Sequence, residues 1–125
     1  MKPGNTPLVE LRTLALSGTR LFAKLEWFNP TGSIKDRAAW FMFRNAVENG
    51  RLQPGQPLIE ATSGNTGIGL ARLALIHRHP MVICLPSTAS EERKKLLRAY
   101  GAELIVVEGG PNDAIAHARD LVEAG

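Results

Sequence analysis

Three apolar runs, PLIEA (57–61), MVICL (81–85) and ELIVV (103–107), recur about every 25 residues, each followed by a stretch of helical character. That rhythm constrains the fold more than any other feature. Strands separated by crossovers of that length lie parallel, because an antiparallel neighbour needs only a tight turn. A parallel sheet is covered on both faces. The residues therefore predict an α/β fold, a parallel sheet with helices on both faces. MVICL and ELIVV lack alternation and read as strands buried on both sides. The intervening helices are expected from about Thr66 to His77, stopping at Pro80, and from Glu91 to Tyr100, with Ser90 as cap and Gly101 as stop. A last helix, capped by Asn112 after the turn Gly109-Gly110-Pro111, is expected to reach about Ala124.

Upstream, LVEL (8–11) and RLFAKLEW (20–27) alternate apolar and polar residues, as strands with one wet face do. From Ser33 to Asn49 the period is helical, closed by Gly50 and the turn-rich QPGQP (53–57). Ile34, Ala38, Ala39, Trp40, Phe41, Met42, Phe43, Ala46 and Val47 make that helix apolar nearly all round, which predicts burial on most sides. The organisation expected is an arm with strands and helix over residues 1–56, then three strand–helix units over residues 57–125.

Composition serves mainly to exclude. With 44% hydrophobic and 22% charged residues the chain matches ordinary globular proteins, not collagen, disordered chains or coiled coils. No apolar run approaches the roughly 18 residues of a membrane span. The start MKPGNTPLVEL has Pro and Gly where a secretion signal needs an apolar core, so a cytoplasmic location is expected. The net charge of +3 is spread along the chain, and no aromatic-interleaved basic stripe points to nucleic acid. EERKKLLR (91–98) alternates in sign, with Glu91 and Lys95 at i,i+4 spacing, and reads as a solvated helix face. The single cysteine, Cys84, lies within MVICL and reads as core. His77, His79 and His117 lack metal-ligand spacing.

Two segments stand where ligands bind in parallel α/β sheets, beyond the carboxyl ends of strands. SGNTG (63–67) joins a strand to a helix. Its glycines permit close backbone approach and positive φ, and the helix start favours an anion. Ser63, Asn65 and Thr66 add side-chain donors, so a carboxylate or phosphate is the expected guest. Gly64, Gly67 and Gly69 do not form the dinucleotide fingerprint, and no P-loop Lys follows. In NPTGSIKDR (29–37), Asn29, Pro30 and Gly32 make a turn, and Ser33 with Asp36 forms an S-x-x-D capping pair. Lys35 falls in the first helical turn, the end that disfavours a cation. An amine desolvated there would serve as nucleophile or base.

NPTGSIKDR followed by EATSGNTGIGLA (60–71) strongly resembles the fold-type II pyridoxal-phosphate enzymes, the tryptophan synthase β-subunit-like group. The nearest look is to the cysteine synthase (O-acetylserine sulfhydrylase) family, particularly its B type, and to cystathionine β-synthase. GNTPLVEL (4–11) and SEERKKLLRAYGAELI (90–105) resemble further segments of that family. The resemblance implies pyridoxal 5'-phosphate as cofactor, bound as a Schiff base to Lys35, whose released amine abstracts the substrate α-proton. It implies that Thr62, Ser63, Asn65 and Thr66 hold the substrate carboxylate and that Asn65 also meets the cofactor's 3′-hydroxyl. The implied reaction eliminates acetate from O-acetylserine and adds sulfide to give cysteine. Cystathionine β-synthase and serine/threonine dehydratase chemistry share the fold and the lysine. A non-catalytic anion-binding α/β fragment is the reading from another class. Family members are longer, are homodimers and carry a later loop for the cofactor phosphate. The chain is thus expected to be an N-terminal part, incomplete in its fold and inactive alone, with the cofactor-phosphate domain absent. Part of the helix at 33–49 is expected to meet another domain or subunit.

Overall fold

The three apolar runs become three parallel strands in a computed structural model that describes residues 2–124. In chain order the elements are β1 (Leu8–Glu10), β2 (Phe22–Lys24), a 3-10 helix (Glu26–Phe28), α1 (Lys35–Glu48), β3 (Leu58–Ala61), α2 (Asn65–His77), β4 (Met81–Pro86), α3 (Glu91–Ala99), β5 (Glu103–Val107) and α4 (Pro111–Ala124). β1 and β2 pair antiparallel, with Val9 opposite Ala23. The main sheet has the order β3-β4-β5, with Ile59 opposite Val82 and Ile83 opposite Leu104.

β4 is central, and the alternation of its side chains divides the core. Met81, Ile83 and Leu85 pack with Leu70, Leu73 and Ala74 of α2 and Leu97 of α3. Cys84 points the other way, to Ala114 and Ala118 of α4, joined by Ile59, Ala61, Ile105 and Val107. Helices thus cover both faces of a parallel sheet, the architecture that crossover length predicted.

Several local expectations are corrected. β5 is only partly buried, with Glu103 and Val106 exposed, because it is the edge of the sheet among the described residues. β2 ends at Lys24 because Glu26–Phe28 turns into the 3-10 helix. On α1 only Asp36, Ala39 and Phe43 are buried, while Ile34, Phe41, Met42 and Val47 are exposed. α2 covers one side of α1, so an apolar circumference does not become a buried one. Asn112 does not cap α4. Pro111 opens that helix, where its missing N–H costs nothing, and the Asp113 carboxylate accepts the Gly110 N–H at 2.7 Å. Ser90 precedes α3 in extended conformation but makes no side-chain capping bond. Glu91 pairs with Lys94 at 2.8 Å, not with Lys95, and the buried Lys94 ammonium also donates to the Ser87 carbonyl at 3.2 Å. α2 stops through a left-handed Arg78 (φ 60°), with the His79 N–H closing on the Ala74 carbonyl at 2.9 Å, before Pro80 is reached.

Candidate active site

Lys35 is the first residue of α1, and the segment before it explains its placement. The Gly32 N–H closes a turn on the Asn29 carbonyl at 2.9 Å, and Gly32 takes φ +80°, which a side chain would strain. Ser33 Oγ accepts the Lys35 N–H at 3.1 Å. The expected capping pair is not formed reciprocally. Asp36, which is buried, turns back to Thr31 and accepts its N–H at 2.8 Å and its hydroxyl at 2.7 Å. Arg37 reaches the opposite way and grips Glu26 with two parallel bonds, Nε to Oε2 at 2.8 Å and Nη2 to Oε1 at 2.9 Å. The Lys35 side chain is exposed, so the described residues do not supply the desolvation envisaged for its amine.

The segment 62–66 leaves the carboxyl end of β3. The Thr62 N–H extends the sheet ladder to the Cys84 carbonyl at 3.1 Å, and Thr62 Oγ1 accepts the Gly64 N–H at 3.1 Å. Gly64 has φ −109°, not the positive value that a glycine permits. The glycines act by absence of bulk. A Cβ on Gly67 would lie 2.5 Å from Thr62 Cγ2, and one on Gly69 would lie 2.9 Å from Ala39 Cβ. No side chain caps α2, so its first N–H groups are left to solvent or a ligand. Asn65 is exposed, and Thr62, Ser63 and Thr66 are half-buried.

Gly69 brings the two segments to one place. Its Cα side faces Ala39 and Asp36 in the first turns of α1, and further along Phe43 of α1 stacks on His77 of α2 with ring centres 4.7 Å apart. The two helices therefore run side by side with their N-termini at the same end. Both positive dipole ends converge there, next to Lys35 and the residues Thr62, Ser63, Asn65 and Thr66. Gly69→Val is expected to force the helices apart. Overpacking of this kind costs about 1–3 kcal/mol, and the urea midpoint of the variant should fall accordingly.

One participant was not legible. Arg93 of α3, in the run read as a solvated face, donates from Nη1 to the Ser63 carbonyl at 3.2 Å. Charge alternation gave no hint of it, because the contact is made across 30 residues of sequence. The site is open. A cleft of about 790 Å³ lies on the flank of α1, lined by Phe41, Met42 and Asn45 among others, and includes neither Lys35 nor residues 62–66.

The remaining candidates sit apart. Cys84 is fully buried, and burial pushes its thiol up from the ordinary range. His77 and His79 flank Phe43, and His79 Nδ1 lies 2.9 Å from the Gln56 carbonyl. Among the described residues no group of three His, Cys, Asp or Glu is placed to hold a metal ion, and no helix is long and apolar enough to cross a membrane.

The pair Glu26–Arg37 also sets an acid limit. The Arg37 guanidinium holds the Glu26 carboxyl down at about 2, against an ordinary value of 4.5. A depressed carboxyl stabilises the fold fully above its unfolded value, and that stabilisation disappears as pH falls through the folded value. Glu26→Gln should therefore lower the urea midpoint at pH 7, and the gap from wild type should close between about pH 4.5 and about pH 2. A gap that persists unchanged at pH 2 would contradict this assignment.

Comparison with known proteins places the geometry in context. A family model described as "Pyridoxal-phosphate dependent enzyme" matches residues 1–125. The chain is 48% identical over 122 residues to cysteine synthase B of Salmonella typhimurium (strain LT2), covering 97% of this chain and 40% of that protein. It is 50% identical over 121 residues to cysteine synthase B of Pseudomonas syringae pv. syringae, covering 96% of this chain and 70% of the relative. The crystal structure of cysteine synthase (OASS) from Entamoeba histolytica superposes with a TM-score of 0.91 at 42% identity, over 98% of this chain and 38% of that one. Against the Salmonella relative, then, the chain spans about two fifths of the length.

Proposed function

The chain belongs to the family of pyridoxal-phosphate dependent enzymes, and from that premise we propose that its residues serve a cysteine-synthase-type β-replacement, making cysteine from O-acetylserine and sulfide. The observation that carries this reading is the convergence of the α1 and α2 N-termini through Gly69, which sets an exposed lysine beside an anion-favouring loop.

When bound, pyridoxal phosphate supplies an aldehyde carbon for an amine and an electron-withdrawing ring that stabilises negative charge on the substrate α-carbon. The residues present suit such a group: an accessible amine at Lys35, and at Asn65 an exposed amide that can donate to a ring hydroxyl. Lys35 is assigned to hold the cofactor and then to take and return the α-proton at Nζ. Thr62, Ser63, Asn65 and Thr66 are assigned to the substrate carboxylate, through hydroxyl and amide donors and the uncapped N–H groups of α2. The Arg93 bond to the Ser63 carbonyl steadies that loop from the far side. Residues 1–56 would then form the lysine-bearing arm and residues 57–125 the substrate-binding unit. The exposed apolar side of α1 faces another domain or a second subunit in this reading, and a homodimer in the cytoplasm is the expected form. A monomer by light scattering with no hydrophobic-dye binding would count against that face being covered.

Reaction type is tested by product. With pyridoxal phosphate, O-acetylserine and sulfide, a protein containing this chain should release cysteine and acetate. Release of an α-keto acid and ammonia instead would favour the dehydratase-type alternative.

A further inference from the structure

The Lys35 side chain is exposed and makes no hydrogen bond among the described residues, so only its backbone can aim it. The two residues that follow it are fastened to different partners. Asp36 is tied to Thr31 in the preceding turn. Arg37 is tied to a closed network that spans the N-terminal arm. The Thr6 hydroxyl donates to Glu26 Oε1 at 2.8 Å and accepts from Arg37 Nη2 at 3.1 Å. Asn29 Nδ2 donates to Glu26 Oε2 at 2.7 Å, and Asn29 Oδ1 accepts the Gly4 N–H at 3.1 Å. Thr6 and Asn29 are buried. The arm is drawn in further by the Leu25 N–H on the Pro7 carbonyl at 2.9 Å and by the Lys24 ammonium on the Thr6 carbonyl.

We propose that the Glu26–Arg37 pair, closed by Thr6 and Asn29, positions Lys35 for its reaction with an aldehyde cofactor. The proposal rests on the reading of Lys35 given above. These are positioning residues, acting through the backbone of α1's first turn. An open surface site cannot hold a flexible ammonium by packing, so the aim of the side chain depends on how rigidly residue 35 is presented. The fork of Arg37 is suited to this. Two parallel charge-assisted bonds fix direction as well as distance, which a lysine's single point charge cannot reproduce. The N-terminal arm, remote in sequence, thereby becomes part of the site.

The test uses pyridoxal phosphate as probe. A C=N bond forms between a lysine Nζ and the aldehyde carbon with loss of one water, borohydride delivers hydride to that carbon, and peptide mapping locates the label. The chain has Lys2, Lys24, Lys35, Lys94 and Lys95, so exposed Lys95 is an internal reference. Wild type should favour Lys35 over Lys95. Arg37→Lys and the near-isosteric Thr6→Val should lower the Lys35-to-Lys95 ratio by about tenfold, within the range expected for a misplaced reacting group. Glu10→Gln, which breaks an exposed pair with Arg12 and Arg20, should leave it unchanged. Far-UV circular dichroism separates misfolding from misplacement. If Arg37→Lys does not fold, Thr6→Val decides. A wild-type ratio in a folded Thr6→Val or Arg37→Lys variant overturns the proposal. Absence of Lys35 preference in wild type instead overturns the cofactor assignment of Lys35, so the two failures are distinguishable.

Discussion

Lys35→Ala is expected to reduce the visible absorbance band that pyridoxal phosphate develops with the wild-type chain to the level set by the other exposed lysines, and to remove the borohydride-fixed label from the peptide containing residue 35. The reasoning is chemical. Alanine has no nitrogen to bond the aldehyde, and no neighbouring lysine shares the first turn of α1. In a protein with the complete site, losing the group proposed to move the α-proton should lower turnover by about 10²–10⁴-fold from that role alone. Lys35→Arg is a sharper control. It keeps the positive charge but stays protonated at any working pH and offers no free amine, so it should fail as completely as alanine. Neither change should unfold the chain. The side chain is exposed, and substitutions at such positions usually stay within about 0.5 kcal/mol. Removing a cation from a helix N-terminus is, if anything, mildly stabilising. A visible band of wild-type intensity in a folded Lys35→Ala chain would sink the assignment.

The same residues show what a linear reading reaches. The parallel sheet and its helices follow from the spacing of PLIEA, MVICL and ELIVV, because crossover length is a local property of the chain. Lys35 and the segment 62–66 were legible as candidates because turn residues and hydroxyls cluster in sequence. Their approach to one another was not, since it depends on Gly69 meeting Ala39 across 30 positions. Gly69 was noted only for failing a nucleotide motif, while its use is to let two helices touch. The clamp on Arg37 and the bond from Arg93 were invisible for the same reason: Thr6, Glu26 and Ser63 are partners only after folding. Capping bonds differ from capping positions: Ser90 does stand at the N-cap of α3, as expected. Ser90 and Asn112 have good capping chemistry, but Asp113 and Pro111 shifted the start of α4, and nothing bonds to the Ser90 side chain as a cap.

Ile83→Ala and Val106→Ala should separate two strands that the sequence presents as equivalents. Ile83 sits in MVICL and Val106 in ELIVV, and both runs read as buried on two faces. Ile83 lies on the central strand and is 0% exposed, packed in the cluster that joins α2 and α3 to the sheet. Removing its three outer carbons leaves a cavity that rigid neighbours on two sides cannot collapse to fill, and the expected cost is about 2–5 kcal/mol. Val106 lies on β5, at the sheet edge, and is 44% exposed. Its side chain already meets water, so removing its two outer carbons should cost less than about 1 kcal/mol, chiefly lost strand propensity. Urea melts of the two variants measure the difference directly. Equal losses would mean that Val106 is covered in solution by a surface that the described residues do not contain. The size of the contrast thus reports whether β5 is an exposed edge or an interior strand of a larger assembly.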